Sequence, residues 1–193
     1  MKTLVILLIS GIFTNNIITF GLLGVNELEE NKSKNFFDVL KNCAFITAQF
    51  VLGTIITYPV LKFVLTPLKL EFLSALVTTI LLCGLMFVAY TVCAKFAPKL
   101  NASIFCNAKT LLCSVAALGL CLMNLTNDLV TSYPVAILYS LIAGVGFTLV
   151  SLAFYAINER INSTDLPRSV KGLPITLIIV ALMSLAFGGF AGI

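Results

Sequence analysis

Charged residues are so sparse along the 193-residue chain that they partition it, leaving uncharged runs at residues 3–26, 42–61, 72–94, 110–127, 129–158 and 172–193. Within each run apolar residues follow one another without the period of two that marks a barrel strand. In lipid every backbone polar group must be satisfied inside its own segment or in a closed barrel, so these runs predict helices. A hydrocarbon core about 30 Å thick takes about 20 apolar residues, and six runs give six membrane helices.

Polar residues then punctuate the prediction. The opening Met1-Lys-Thr-Leu-Val-Ile resembles a secretory signal, but its apolar run continues past Asn15-Asn16 to Gly24 with no clear small-x-small cleavage site, which predicts a first membrane span. The Asn pair lies deep in that span, where unpaired amides are expensive, so it should face other helices or an interrupted backbone. Val25 to Lys34 reads as a solvated loop. The second span is expected from about Asn42 to Ile56, with Tyr58-Pro59 and Thr66-Pro67 framing a connector. The third runs from Phe72 to Cys93, and a loop from Lys95 to Lys109 follows. The fourth, Thr110 to Asn127, is the shortest and carries Gly119 in its middle. The fifth and sixth flank the polar loop Asn158–Lys171. In the sixth, Ser184, Gly188 and Gly192 recur every four residues, giving one small face for a close partner, either a neighbouring protein or another helix of this chain.

Short, Gly-interrupted spans at matching places in two halves point to a broken-helix site. Asn15, Asn16 and Gly24 in the first span and Gly119 in the fourth are the candidates. The expected fold is therefore an all-α integral membrane protein forming one domain over residues 1–193, built from two inverted three-helix repeats, 1–100 and 101–193, whose first and fourth helices are broken.

Composition strengthens the membrane reading, with 60% hydrophobic and only 10% charged residues. The net charge of +4 comes from basic residues standing singly between spans, which sets orientation and does not describe a nucleic-acid surface. Nine of them (Lys32, Lys34, Lys41, Lys95, Lys99, Lys109, Arg160, Arg168, Lys171) lie in or beside loops 1, 3 and 5, against three (Lys2, Lys62, Lys69) elsewhere. Loops 1, 3 and 5 are expected in the cytoplasm and both termini outside a multi-pass cell (inner) membrane. The chain has no His, no G-x-S-x-G and no phosphate-loop or dinucleotide fingerprint, so no catalytic constellation is expected in this chain alone. Its six cysteines include no C-x-x-C pair and read first as small apolar helix residues.

Specific wording goes further than composition. Gly144-Val-Gly-Phe147, Ile157-Asn-Glu-Arg-Ile161, Asp165-Leu-Pro167, Lys171-Gly172, Leu182-Met-Ser-Leu-Ala-Phe187 and Gly189-Phe-Ala-Gly192 resemble the C-terminal half of the small six-span subunits of the Rnf and Nqr electron-transport complexes, closest to the A-type member of Rnf. The motif loop carries Glu159, Arg160, Asp165, Pro167 and Gly172. An Asn-bearing first helix ending in Leu23-Gly24 and the connector Phe63–Leu73 are similar too. The resemblance implies a membrane subunit of a complex that couples electron transfer to ion translocation, working beside other subunits, above all a sister of opposite topology. It also implies a [2Fe-2S] centre shared with that sister, each of the two proteins giving one cysteine from each broken helix. The family places these cysteines two residues after the Leu-Gly pair and four residues before the fourth-span Gly, where this chain has Asn26 and Val115. A cluster held in the family's way is therefore not expected, and Cys113, two residues from the second place, is the one candidate metal ligand left. The alternative is a divergent, non-redox relative serving as a transporter or assembly subunit.

Overall fold

A computed structural model of the chain describes residues 7–31, 35–66, 71–96, 114–127, 130, 132–162, 167 and 172–189, and among them the regular structure is entirely helical. A π-helical turn at Ser10–Thr14 leads into the short helix α1 (Ile17–Gly21), followed by α2 (Val25–Asn31) and α3 (Phe36–Val60), which passes into a second π-helical turn at Leu61–Leu65. Then come α4 (Ser74–Phe96), α5 (Val115–Thr126), α6 (Tyr133–Asn162) and α7 (Leu173–Gly188). Two stretches, Phe36–Phe63 and Tyr133–Ile161, are long and apolar enough to cross a bilayer. Ser74–Val88, Val115–Asn124 and Leu173–Gly188 are shorter apolar helices. With the interrupted first segment, these are the six apolar segments expected. Large apolar side chains such as Phe20, Phe63, Phe87 and Leu185 are more than 60% exposed, as a lipid-facing surface requires and a water-facing one does not tolerate in such number.

Contacts divide the chain into two compact units, Met1–Thr47 with Ile142–Ile193, and Ala48–Leu141. In the first, α7 packs on α1, α2 and the first π-helical turn, around buried Ile17, Ile18, Leu28, Phe147, Phe154 and Val180. In the second, α4 packs on α5, and Phe50, Met86, Leu120, Ala136 and Tyr139 are buried. Each unit draws on both sequence halves, so neither coincides with residues 1–100 or 101–193.

Two expectations are corrected. The polar stretch after Gly24 is not simply a solvated loop. Gly24 has φ 95°, which only glycine adopts without strain, and the chain turns there into α2, whose Leu28 is fully buried and Glu27 nearly so. The second span also begins earlier and ends later than expected. Asp38 in the first turn of α3 favours a helix N-terminus electrostatically, and Pro59 lies inside the helix, not at its end. A proline there lacks the N–H that would bond the carbonyl four residues back. That carbonyl, Ile55 O, accepts instead from the Tyr133 phenol at 3.2 Å. The helix therefore tolerates its proline, and the π-helical turn follows at Leu61–Leu65.

Candidate functional site

The first unit is organised around a break in the first span. The π-helical turn ends at Asn15, whose backbone N–H returns to Ser10 O at 2.7 Å and whose side-chain amide reaches Ser10 Oγ at 3.0 Å. Asn16 then adopts an extended conformation and starts α1. Its Oδ1 accepts from Ile18 N at 3.1 Å and its Nδ2 donates to Ile12 O at 3.0 Å. One amide thus satisfies a carbonyl released by the first segment and an N–H exposed by the second, the orphan groups that any helix end leaves. In a span these would otherwise be costly, and Asn16 is 1% exposed.

The break needs room, and α6 supplies it. A Cβ on Gly146 would lie 2.9 Å from Asn16 Nδ2 and 3.0 Å from both Gly11 O and Ile12 Cα. One on Gly144 would collide with Thr47 Cγ2, and Thr47 Oγ1 bonds both Cys43 O and Gly144 O. The Gly144-Val-Gly146 wording is therefore a close-approach surface. At the other end of α1, Leu22 takes the left-handed conformation, φ 52°, and Ser184 Oγ donates to Thr19 O at 2.6 Å.

The second unit holds a different cluster. Asn124 on α5 donates through Nδ2 to Thr54 Oγ1 at 3.1 Å and to Ser140 Oγ at 3.3 Å, while those hydroxyls lie 2.6 Å apart. All three residues are at most 2% exposed. Cys121 is within hydrogen-bonding reach of Thr57 and Thr54, and Gly53 lets α3 approach Leu82 and Cys121. In the sequence Asn124 stands out only as a residue near a span end, and nothing marks Thr54 or Ser140. The available signal is three small polar side chains inside uncharged runs.

The remaining candidates are dispersed. Gly119 lies inside α5, five residues after its cap Ser114, whose Oγ accepts from Ala117 N. Asn26 is exposed in the first turn of α2, and Val115, the first residue of α5, is 44% exposed. Glu159 and Arg160 are exposed near the end of α6, Pro167 is exposed, and Gly172, with φ 92°, precedes α7. Ser184 is turned inward, while Gly188 is exposed with open space where a Cβ would stand. Cys113, Asp165 and Gly192 lie outside the described residues.

Comparison with known proteins finds relatives that match this chain from end to end. The A subunit of the Na(+)-translocating ferredoxin:NAD(+) oxidoreductase complex of Acetobacterium woodii is 29% identical over 190 residues, 98% of this chain and 97% of that protein. The A subunit of the ion-translocating oxidoreductase complex is 32% identical over 195 residues in Actinobacillus pleuropneumoniae and 33% identical over 195 residues in Ectopseudomonas mendocina, in each case covering 100% of this chain and 98% of the relative. Residues 4–193 match the family described as Rnf-Nqr subunit, membrane protein, and the chain belongs to that family.

Proposed function

We propose that this chain is a membrane subunit of an Rnf-type complex that couples electron transfer to ion movement across the bilayer. The observation that carries the reading is the end-to-end likeness to relatives named as the A subunits of ion-translocating oxidoreductase complexes. Its partners are the other subunits, with a sister of opposite topology foremost, and its place is the cell (inner) membrane. The nine-to-three distribution of basic residues supports loops 1, 3 and 5 in the cytoplasm and both termini outside.

The inverted repeats 1–100 and 101–193 have support in the make-up of the two units. The first contains the first span, the early part of α3, the late part of α6 and α7; the second contains the late part of α3, α4, α5 and the early part of α6. Pairing spans 1 with 4, 2 with 5 and 3 with 6 turns one inventory into the other. Side-chain caps reinforce the pairing, since Asn16 starts α1 five residues before Gly21 and Ser114 starts α5 five residues before Gly119.

The family's iron–sulfur centre does not fit the residues present. Clusters are normally held by thiolates, and the two places offer an exposed amide, Asn26, and an exposed isopropyl group, Val115. No electron-transfer step is therefore routed through this chain. That same mismatch favours a second reading, a non-redox relative acting in transport or assembly.

The test is gentle purification of the tagged full-length chain from native membranes and identification of what accompanies it. Flavin-bearing and ferredoxin-like subunits are expected. Partners without redox groups would favour the second reading.

A further inference from the structure

Within the first unit α3 and α6 touch at two levels. Thr47 Oγ1 donates to Gly144 O at 3.3 Å, and Phe36 meets Tyr155 edge to face, ring centroids 6.2 Å apart, so the two helices run antiparallel. Between these contacts lies an open groove of about 490 Å³, lined by Leu40, Ala44 and Thr47 from α3 and by Thr148, Leu149 and Leu152 from α6. Both threonines spend their hydroxyl protons on backbone, Thr47 on Cys43 O and Thr148 on Gly144 O, each at 2.9 Å. The walls therefore offer a ligand no hydrogen-bond donor. Eleven positions separate Phe36 from Thr47, and eleven separate Gly144 from Tyr155, which is about 16 Å of helix. Half of a hydrocarbon core is about 15 Å, so the groove is one leaflet deep. Its inner end is shut, because a Cβ on Gly144 would collide with Thr47. At its outer end stand all four charged residues of the two helices, Asp38 and Lys41 on α3 and Glu159 and Arg160 on α6. Lys41 Nζ lies 3.3 Å from Asp38 Oδ1, with both side chains about half exposed.

We propose that this groove holds one acyl chain of a phosphatidylethanolamine whose headgroup sits on Asp38 and Lys41. Depth selects a lipid over a protein. A partner helix that crosses the bilayer, about 10 Å across, needs a groove through both leaflets, and this one stops at Thr47 and Gly144. An acyl chain needs only one leaflet. Lipid tails are as apolar as the walls, so burial alone discriminates among lipids hardly at all, and the headgroup must supply the choice. Clusters of bases select anionic lipids, but here each base stands beside an acid and the four charges cancel. A zwitterion is the complement: its phosphate suits Lys41, whose side chain leans toward the start of α3 and the membrane surface, and its ammonium suits Asp38. The exposed Asp38–Lys41 pair is worth little by itself, so it opens to the two headgroup charges at small cost. Ethanolamine is favoured over choline because its ammonium has N–H protons for a carboxylate to accept. The site stands independently of the electron-transfer reading, since none of its residues has a part in that reading.

The test uses the complex purified from native membranes in gentle detergent and a phosphatidylethanolamine with a photoreactive diazirine in its acyl chain. Labelled peptides are mapped by mass spectrometry, and unlabelled phosphatidylethanolamine, phosphatidylcholine and phosphatidylglycerol of the same chains compete. Label should fall on the α3 and α6 residues of the groove, and phosphatidylethanolamine should compete about threefold better than the other two, the scale of exposed charge pairs. Ala44→Leu, at an exposed position, fills the groove and should cut the labelling by about tenfold, as overpacking does. Asp38→Asn leaves Lys41 without its acid and should turn the preference toward phosphatidylglycerol. That variant lies outside the groove and carries the test alone if the Ala44→Leu complex does not assemble. Equal competition by the three lipids in the parent, an unchanged preference in Asp38→Asn, or labelling that survives Ala44→Leu overturns the proposal. So does a photoreactive side chain placed at Leu149 that links to a partner protein, which would give the groove to a helix.

Discussion

The phenol of Tyr133 donates to the carbonyl of Ile55, the group that Pro59 leaves without its helical N–H. The contact explains why a proline survives inside a membrane helix, and it makes a coupled prediction. Tyr133→Phe should destabilise the fold by about 1 kcal/mol, the usual net worth of one hydrogen bond. In a Pro59→Ala background, where residue 59 regains its N–H, the same change should cost much less. Equal penalties in both backgrounds, measured as unfolding midpoints in detergent, would show that the phenol acts through packing alone.

Asn16 should be the most sensitive polar residue of the first span. Asn16→Ala removes the α1 cap and leaves Ile12 O and Ile18 N buried without their partner, a loss of about 2–4 kcal/mol. Asn16→Ser keeps a capping oxygen but is too short to serve both groups, and should fall between. Asn15, half-buried and bonded to a side chain and a carbonyl of the same turn, should tolerate Ser or Ala better. Thermal unfolding of the three variants ranks them, and a more severe effect at Asn15 would remove Asn16 from its role.

These positions show what is legible in a sequence and what is not. Six segments and an irregularity at the Asn pair follow from residue types that are expensive or unusual in lipid, whereas Gly144-Val-Gly stands out only through its likeness to the family's wording. Pro59 reads locally as a helix end because its rescue by Tyr133 lies 74 positions away in sequence, a relation no local signal carries. The helix after Gly24 is hidden by its acidic composition, since burial of Glu27 and Leu28 depends on α7 packing there. Thr54 and Ser140 stay invisible for a similar reason: each is ordinary in its own span, and only the tertiary fold brings both to Asn124.

The glycines separate by what surrounds them. Gly146→Ala forces a methyl group against Asn16 and the backbone of Gly11 and Ile12, and overpacking of this kind costs about 1–3 kcal/mol. A Cβ at Gly188 would meet nothing within 4 Å among the described residues, so Gly188→Leu should change stability of the chain itself by less than about 0.5 kcal/mol. If the face of Gly188 receives a partner protein, the same substitution should reduce the size of the complex in gentle detergent. An unchanged complex assigns that face to lipid.

Orientation is open to direct measurement. Reporter fusions after Lys34, Lys99 and Lys171 should report the cytoplasm, and fusions near Asp128 and after Ile193 the exterior, because basic residues are retained on the cytoplasmic side. A cytoplasmic signal from the C-terminal fusion reverses the whole assignment.

The cofactor provides the last test. Asn26 and Val115 cannot supply thiolates, so a cluster held by this chain would need other cysteines. Cys43 and Cys121 are buried, and among the described residues no three His, Cys, Asp or Glu side chains are grouped to hold a metal. Cys113 precedes the expected place by two residues, and a shift of two on a regular helix turns a side chain by roughly 200°. The described part of α5 starts at Val115, behind the cap Ser114, and Cys113 lies outside the described residues. The expected outcome is an iron signal in the purified complex, by elemental analysis and electron paramagnetic resonance, that is the same in the parent and in Cys113→Ala, because the iron belongs to partner proteins. A signal lost specifically in Cys113→Ala, with the complex otherwise intact, identifies a displaced ligand and restores this chain to the electron path.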